Sequence, residues 1–139
     1  MKKIVILQFF SLFLAAGVMA AGEEVDCSKI SEAKSARLND VVARYMRIYG
    51  EPCAIFQVLN PRNSWEVIST KTVCSFGGKS FETDFADAHF EDVSFSSRGA
   101  HLTLSFTPLE GTGEQEVKCF VPIEGGEIDA MVCESTTTH

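Results

Sequence analysis

Five carboxylates within eleven residues form the densest group of potential ligands in the sequence. Such a group could bind calcium or a basic protein partner. A calcium loop needs oxygen ligands at alternate positions around a central glycine, and Phe85, Ala88 and Phe90 interrupt that spacing. We therefore predict no metal site here, and interpret the group as a solvated sheet face and candidate partner-binding surface. The five carboxylates are Glu82, Asp84, Asp87, Glu91 and Asp92.

Two histidines that precede the terminal residue, His89 and His101, are the next candidates for chemistry. A serine–histidine or cysteine–histidine site would need one of them beside a nucleophile, and no local motif marks either. The segment from Gly78 to Ser80 resembles the end of a phosphate-binding loop, but Val73 stands where that loop needs its first glycine. The sequence therefore predicts a non-enzymatic protein without catalytic residues or cofactor.

The cysteine numbering predicts two disulfides, because facing residues in an antiparallel hairpin have numbers with a constant sum. Cys53 and Cys74 are centred at 63.5, within the turn-forming segment Asn60–Ser64. Cys119 and Cys133 are centred at 126, beside Gly125-Gly126. Each pair can therefore be bridged across its hairpin. Cys27 remains as a candidate free thiol, and the absence of a CxxC motif argues against an oxidoreductase.

The first twenty residues predict a secretory signal peptide, residues 1–20. Lys2 and Lys3 precede an apolar run from Ile4 to Ala16, and Val18 and Ala20 fit the −3 and −1 positions of a cleavage site. The run is shorter than the roughly 20 apolar residues that span a bilayer. We therefore expect a periplasmic or secreted protein in an oxidising compartment, and the Met-Lys-Lys start favours bacteria.

The balance of acidic and basic residues limits the classes of partner that the chain is expected to bind. The chain has twelve basic and nineteen acidic residues and a net charge of −7. The predicted leader holds two of the basic residues and none of the acidic ones, so ten basic and nineteen acidic residues remain, a charge of −9. Nucleic-acid binding and attraction to anionic membranes need the opposite sign. We expect a protein partner, which would be cationic if charge drives the association.

The apolar pattern of residues 28–49 predicts an amphipathic helix. At about 100° per residue its apolar side chains fall within one arc roughly 120° wide. Ser28 can cap the first turn, Gly50 suits the C′ position, and Pro52 prevents continuation. The arc comprises Ile30, Leu38, Val41, Val42, Tyr45, Ile48 and Tyr49.

The rest of the chain predicts short antiparallel strands. They cover residues 53–59, 65–76, 80–85, 90–97, 100–107, 116–123 and 127–134. The result is one α+β domain, residues 21–139, with an N-terminal helix on a curved antiparallel meander of about six strands, stapled by disulfides. This arrangement resembles the cystatin and nuclear-transport-factor types in topology only. Residues 57–60 lack the glycine of a cystatin inhibitory loop, so no residue roles are transferred.

These features predict an exported, small, non-enzymatic protein-binding module, such as an inhibitor or immunity-type protein of the bacterial envelope. The alternative is a small-ligand carrier with an apolar pocket between helix and sheet, lined by the phenylalanines at 76, 81, 85, 90 and 95. Core packing is the simpler role for those side chains. An enzyme would need His89 or His101 in a cleft with an aspartate or a cysteine.

Overall fold

A computed structural model describes residues 25–111 and 113–134, and these are nearly all β structure. The predicted signal peptide lies outside the described residues. A 3-10 turn, Cys27–Lys29, precedes eleven described strands. The strands are β1 (Ile30–Leu38), β2 (Val41–Ile48), β3 (Ala54–Asn60), β4 (Glu66–Val73), β5 (Ser75–Phe76), β6 (Lys79–Ser80), β7 (Phe85–Ser96), β8 (Gly99–Pro108), β9 (Gln115–Glu124), β10 (Glu127–Ile128) and β11 (Val132–Cys133).

The predicted N-terminal helix is wrong, because β1 and β2 occupy its residues. A turn at Asn39-Asp40 joins the two strands, and Asn39 adopts the left-handed conformation, φ 55°, that asparagine tolerates. β2 lies between β1 and β3, and its adjacent residues Tyr45 and Met46, which point to opposite faces, are 0% and 1% exposed. Adjacent apolar pairs three or four residues apart imitate a helical period. The α+β class and the topological resemblance are lost with the helix.

The strands form two main antiparallel sheets and a small hairpin. The first sheet has the order β1-β2-β3-β4, the second has β10-β9-β8-β7 with β11 also paired to β9, and β5 pairs with β6. The main sheets meet along both edges. Lys34 Nζ on β1 donates to Val93 O on β7 at 3.3 Å, and Ser69 Oγ on β4 donates to Gly126 O at 2.6 Å. The architecture is therefore a two-sheet sandwich joined at both edges.

The apolar core between the sheets has a large cluster around Tyr45 and Phe56 and a smaller one of Leu38, Ala43, Val58 and Ile123. The rings of Tyr45 and Phe56 lie 5.5 Å apart, and the ring of Phe81 lies 5.6 Å from that of Phe90 and 6.2 Å from that of Phe85. All five phenylalanines of the spaced series belong to or contact this core. They therefore supply packing, and the predicted pocket between a helix and a sheet has no counterpart in the described residues.

Four strand assignments differ from the sequence prediction, and one of them is the predicted strand 65–76, which Cys74 divides into β4 and β5. Residues 81–84 form a turn instead of a strand, and Asp84 Oδ2 accepts from the backbone N–H of Ser80 at 2.7 Å. β7 continues through residues 86–89, where an interruption was predicted, because Ala88 and Phe90 both face the core. The last hairpin is divided into β10 and β11 by residues 129–131.

Both predicted disulfides are present. Cys53 bonds to Cys74 beside the directly paired residues Ala54 and Val73. Cys119 bonds to Cys133, with which it is paired in the β9–β11 ladder. Cys27 is free and exposed in the 3-10 turn. Disulfides of this kind are typical of an oxidising compartment.

Replacing both Cys119 and Cys133 with alanine should release β11 before the rest of the sheet. The bond spans a sequence separation of 14 residues, a loop for which chain entropy suggests about 3 kcal/mol. The measured loss should be smaller, because the hairpin already restricts this loop. β11 has only two ladder pairs besides the bond. Hydrogen exchange should accelerate at the Glu134 N–H, which donates to Lys118 O at 2.9 Å. The control is Cys27→Ala, and unchanged exchange in the double variant would show that β11 is held by other contacts.

Candidate functional site

Four of the hairpin turns lie at one end of the sandwich, because the connections between successive antiparallel strands alternate between its two ends. The turns at residues 39–40, 61–65, 97–98 and 125–126 make up this surface, here called the turn end. Arg62 Nη2 donates to Asp40 Oδ1 at 2.9 Å and so links the first two turns. The pair is too exposed, at 74% and 76%, to stabilise the fold strongly. A cleft of about 540 Å³ opens beside the turns, with Leu38, Phe120 and Ile123 among its walls.

Trp65, the single tryptophan of the chain, lies at the turn end with 59% of its surface exposed. Trp65 and the preceding Ser64 both have positive φ, at 60° and 50°. Non-glycine residues adopt this conformation at a cost of roughly 1–2 kcal/mol each. Val67 and Ile68 follow and are 44% and 47% exposed. The turn and the start of β4 therefore expose three large apolar side chains to solvent, and the backbone is strained locally at Ser64 and Trp65.

Hydrogen bonds hold the backbone of this turn. Asn63 N–H donates to Asn60 O at 3.2 Å, and Glu66 N–H donates to Asn63 O at 2.9 Å. The Asn60 side chain accepts from the N–H of Arg62 at 3.0 Å, and the Asn63 amide donates to the Glu66 carboxylate. Asparagine side chains commonly stabilise turns in this way. These hydrogen bonds restrain the backbone on both sides of Trp65.

A second polar group lies on the outer face of the second sheet. Asp87, His89 and Glu91 alternate along β7 and therefore share one face. His89 Nδ1 lies 2.8 Å from Asp87 Oδ2, and His89 Nε2 lies 2.8 Å from Glu91 Oε1. Burial of the imidazole lowers its pKa. The hydrogen bonds that the carboxylates of Glu91 and Asp87 accept from the ring, with their negative charges, outweigh burial and raise the pKa of His89 above its ordinary value.

Glu114, in the segment before β9, completes this group. His89, Glu91 and Glu114 each offer a donor atom within 4.8 Å of those of the other two. Ser105, which is fully buried and pairs with His89 across β7 and β8, donates its hydroxyl to Glu114 Oε1 at 2.5 Å. The β8–β9 connection is thereby tied to β7. We call Asp87, His89, Glu91 and Glu114 the His89 cluster.

The structure divides the five predicted partner-binding carboxylates among three places. Asp87 and Glu91 belong to the His89 cluster. Glu82 and Asp84 lie in the turn at residues 81–84, at the end of the sandwich opposite the turn end. Asp92 has φ 50° and lies at the irregularity in the register of β7 with β8. The five residues are thus spread over a turn and along β7, where Glu82 and Asp87 border one surface pocket, and their part in partner binding stays a prediction.

His101 lies outside the His89 cluster. Its Nε2 atom is 3.0 Å from Ser96 Oγ, and its ring centroid is 4.7 Å from that of Phe120. Trp65 and Glu114 were not among the predicted site residues. The signal for Trp65 was a lone large aromatic after turn residues, and the signal for the cluster was the Asp-x-His-x-Glu alternation at positions 87–91.

Comparison with known proteins gives no match, whether by family model, curated sequence or solved structure. The described residues contain no helix that is long and apolar enough to cross a membrane. The class that the fold defines is an antiparallel, disulfide-linked, nearly all-β protein.

Proposed function

We propose that this protein is an exported, non-enzymatic module that binds another protein through its turn end. The observation that carries the proposal is Trp65, exposed and held by its own hydrogen-bonded turn beside exposed Val67 and Ile68. Tryptophan is enriched among residues that dominate binding energy, because it buries a large rigid surface with few rotatable bonds. Contiguous exposed apolar surface marks interaction sites.

Export to an oxidising compartment agrees best with the predicted leader and with the two disulfides. The predicted leader, with cleavage after Ala20, would direct the chain out of the cytoplasm. Both disulfides would form and persist in the periplasm or outside the cell. An inhibitor or immunity-type protein of the bacterial envelope fits this location, because such a protein acts by occupying a partner's surface.

Charge suggests the character of the partner. The chain is acidic overall, at −7. At the turn end Glu66 and Glu124 are exposed, whereas Asp40 pairs with Arg62 and the turn at residues 97–98 exposes Arg98. A partner with an apolar pocket for Trp65 would complement this surface, and a cationic partner would associate faster with the acidic chain at low salt. Nucleic acid and anionic membranes, which carry the wrong charge, are not expected partners.

A small-ligand carrier is the second proposal, supported by the cleft at the turn end. Its volume of about 540 Å³ lies within the ~300–1,000 Å³ range of ligand pockets. The ligand would bind at the surface between the turns at residues 39–40, 97–98 and 125–126, and not beneath a helix. If the protein binds a small ligand tightly and Trp65→Ala leaves that affinity unchanged, the carrier would be favoured over the protein-binding module.

The test is capture of the partner from an envelope extract with matched baits. The oxidised protein without its leader is immobilised as wild type, Trp65→Ala and Tyr49→Ala. Truncating a central tryptophan typically costs at least about 2 kcal/mol, roughly a 30-fold loss of affinity. We therefore expect a partner that Trp65→Ala loses. Tyr49 is 83% exposed at the opposite end of the sandwich, so Tyr49→Ala should retain the partner.

Thermal melts of the three baits ensure that they are compared as folded proteins. Trp65 is largely outside the core, so its replacement should leave the melting temperature near that of wild type. Equal retention of the partner by wild type and Trp65→Ala would reject the turn end as the binding surface. Loss with Tyr49→Ala alone would place that surface at the other end.

A further inference from the structure

The geometry points to a zinc-class divalent-cation site formed by His89 Nε2, Glu91 and Glu114. One donor atom from each residue lies within 4.8 Å of those of the other two. Zinc binds imidazole nitrogen at about 2.0–2.1 Å and carboxylate oxygen at about 2.0–2.2 Å. Three donors spaced in this way can converge on one ion through small side-chain rotations. This inference does not depend on the proposed function, because the residues lie on the outer face of the second sheet.

The donor set selects the class of cation. Imidazole suits zinc and its transition-metal neighbours, whereas calcium and magnesium take oxygen ligands almost exclusively. Three protein ligands leave a fourth tetrahedral position for water or for a group from another molecule. The site would therefore be of the open kind, in contrast to closed four-ligand structural sites.

Groups behind the donors hold two of them in place. Asp87 Oδ2 lies 2.8 Å from His89 Nδ1 and so orients the ring, and a cation bound at Nε2 would replace the 2.8 Å hydrogen bond between Nε2 and Glu91 Oε1. Zinc-binding histidines characteristically have such a carboxylate partner on the other ring nitrogen. The buried hydroxyl of Ser105 similarly donates to Glu114 Oε1. These contacts restrain a histidine and a glutamate that come from separate parts of the chain.

The net negative charge of the His89 cluster is an independent argument that a cation binds there. Asp87, Glu91 and Glu114 surround one imidazole, so even a protonated ring would leave two negative charges uncompensated. Within the part of the chain that the structure describes, no lysine or arginine forms an ion pair with any of these three carboxylates. A divalent cation would offset the mutual repulsion of these carboxylates.

Zinc titration of the purified, oxidised protein tests the site directly. Cys27 is first replaced by serine, because a free thiol is itself a zinc ligand. Calorimetry of this chelator-treated parent should show one saturable zinc site, and zinc should raise its melting temperature. His89→Gln and Glu114→Gln should each lose most of the affinity. Asp87→Asn, which removes only the orienting carboxylate, should weaken binding roughly 10- to 100-fold.

His101→Gln is the matched control. His101 is exposed on the same outer face but is hydrogen-bonded to Ser96, so its loss should leave zinc affinity unchanged. Metal-free melts establish that each variant is folded, and if His89→Gln is not, Asp87→Asn decides. The proposal is overturned if the parent shows no saturable zinc site, or if a folded His89→Gln or Asp87→Asn binds zinc as the parent does. It is equally overturned if calcium binds as tightly as zinc, since that would indicate attraction to acidic surface alone.

Discussion

Gly99→Ala should lower the free energy of unfolding by at least about 3 kcal/mol, although it adds only one methyl group. A Cβ atom at Gly99 would lie 2.1 Å from Val121 O and 3.0 Å from the backbone nitrogen of Ile123. Both are main-chain atoms of β9, so no side-chain rotation can relieve the overlap. Gly99 also has φ 149°, which alanine rarely adopts. The expected result is a melting temperature lower by roughly 10 °C or more.

The overlap would also disturb a hydrogen bond that joins the two strands. Ile123 N–H donates to Arg98 O at 2.9 Å, immediately beside Gly99. Moving β9 away to make room for the methyl group would lengthen this bond and open the core where Ala100 and Val121 pair. The close approach of β8 and β9 is therefore possible because residue 99 has no side chain.

Gly125→Ala is the matched control for Gly99→Ala. Gly125 also has positive φ, 59°, but a Cβ atom there would meet nothing within 4 Å. Only the conformational term remains, and that term is about 1–2 kcal/mol. Both variants are compared by urea denaturation and by thermal melting. Equal destabilisation of the two variants would show that β9 yields without loss and that the contact at Gly99 does not constrain the fold.

The cysteine pairing could be predicted from sequence because it depends on register alone. Once Asn60–Ser64 is recognised as a turn, antiparallel geometry places Cys53 opposite Cys74 whatever the other strands do. The second pair was placed in the same way, although its hairpin is divided between β10 and β11. Local turn chemistry and counting were sufficient for these features.

The N-terminal hairpin could not be predicted, because burial on both faces of β2 removes the alternation of apolar and polar residues that usually marks a strand. Strand periodicity is visible when one face is polar, but β2 has covered residues on both faces. The turn residues Asn39-Asp40 were the remaining indication of a hairpin, but they fit equally well on the polar face of the predicted helix. The His89 cluster was equally inaccessible as a whole, because Glu114 is twenty-three residues beyond Glu91 and reaches it only through the pairing of β7 with β8 and β8 with β9.

Phe56→Ala should reduce the free energy of unfolding by about 3–5 kcal/mol, the usual range for a fully buried phenylalanine. Phe56 is 0% exposed on the inner strand β3, and its ring contacts that of Tyr45 on β2. Truncation would leave a cavity between the two sheets, bordered by strands that cannot collapse into it without breaking ladder bonds. The total free energy of unfolding of a folded protein is only about 5–15 kcal/mol, so the variant should be marginally stable.

Phe120→Ala makes the same chemical change where the structure predicts a smaller effect. Phe120 is partly exposed on the outer face of β9, where its ring packs at a tilt of 38° against that of His101. Its truncation should cost roughly 1 kcal/mol, since solvent rather than a cavity replaces most of the ring. Urea denaturation should show a much lower midpoint for Phe56→Ala than for Phe120→Ala, with similar slopes. The reverse order would mean that the inner and outer faces of the sheets have been exchanged, because a period-two strand buries either one face or the other at each position.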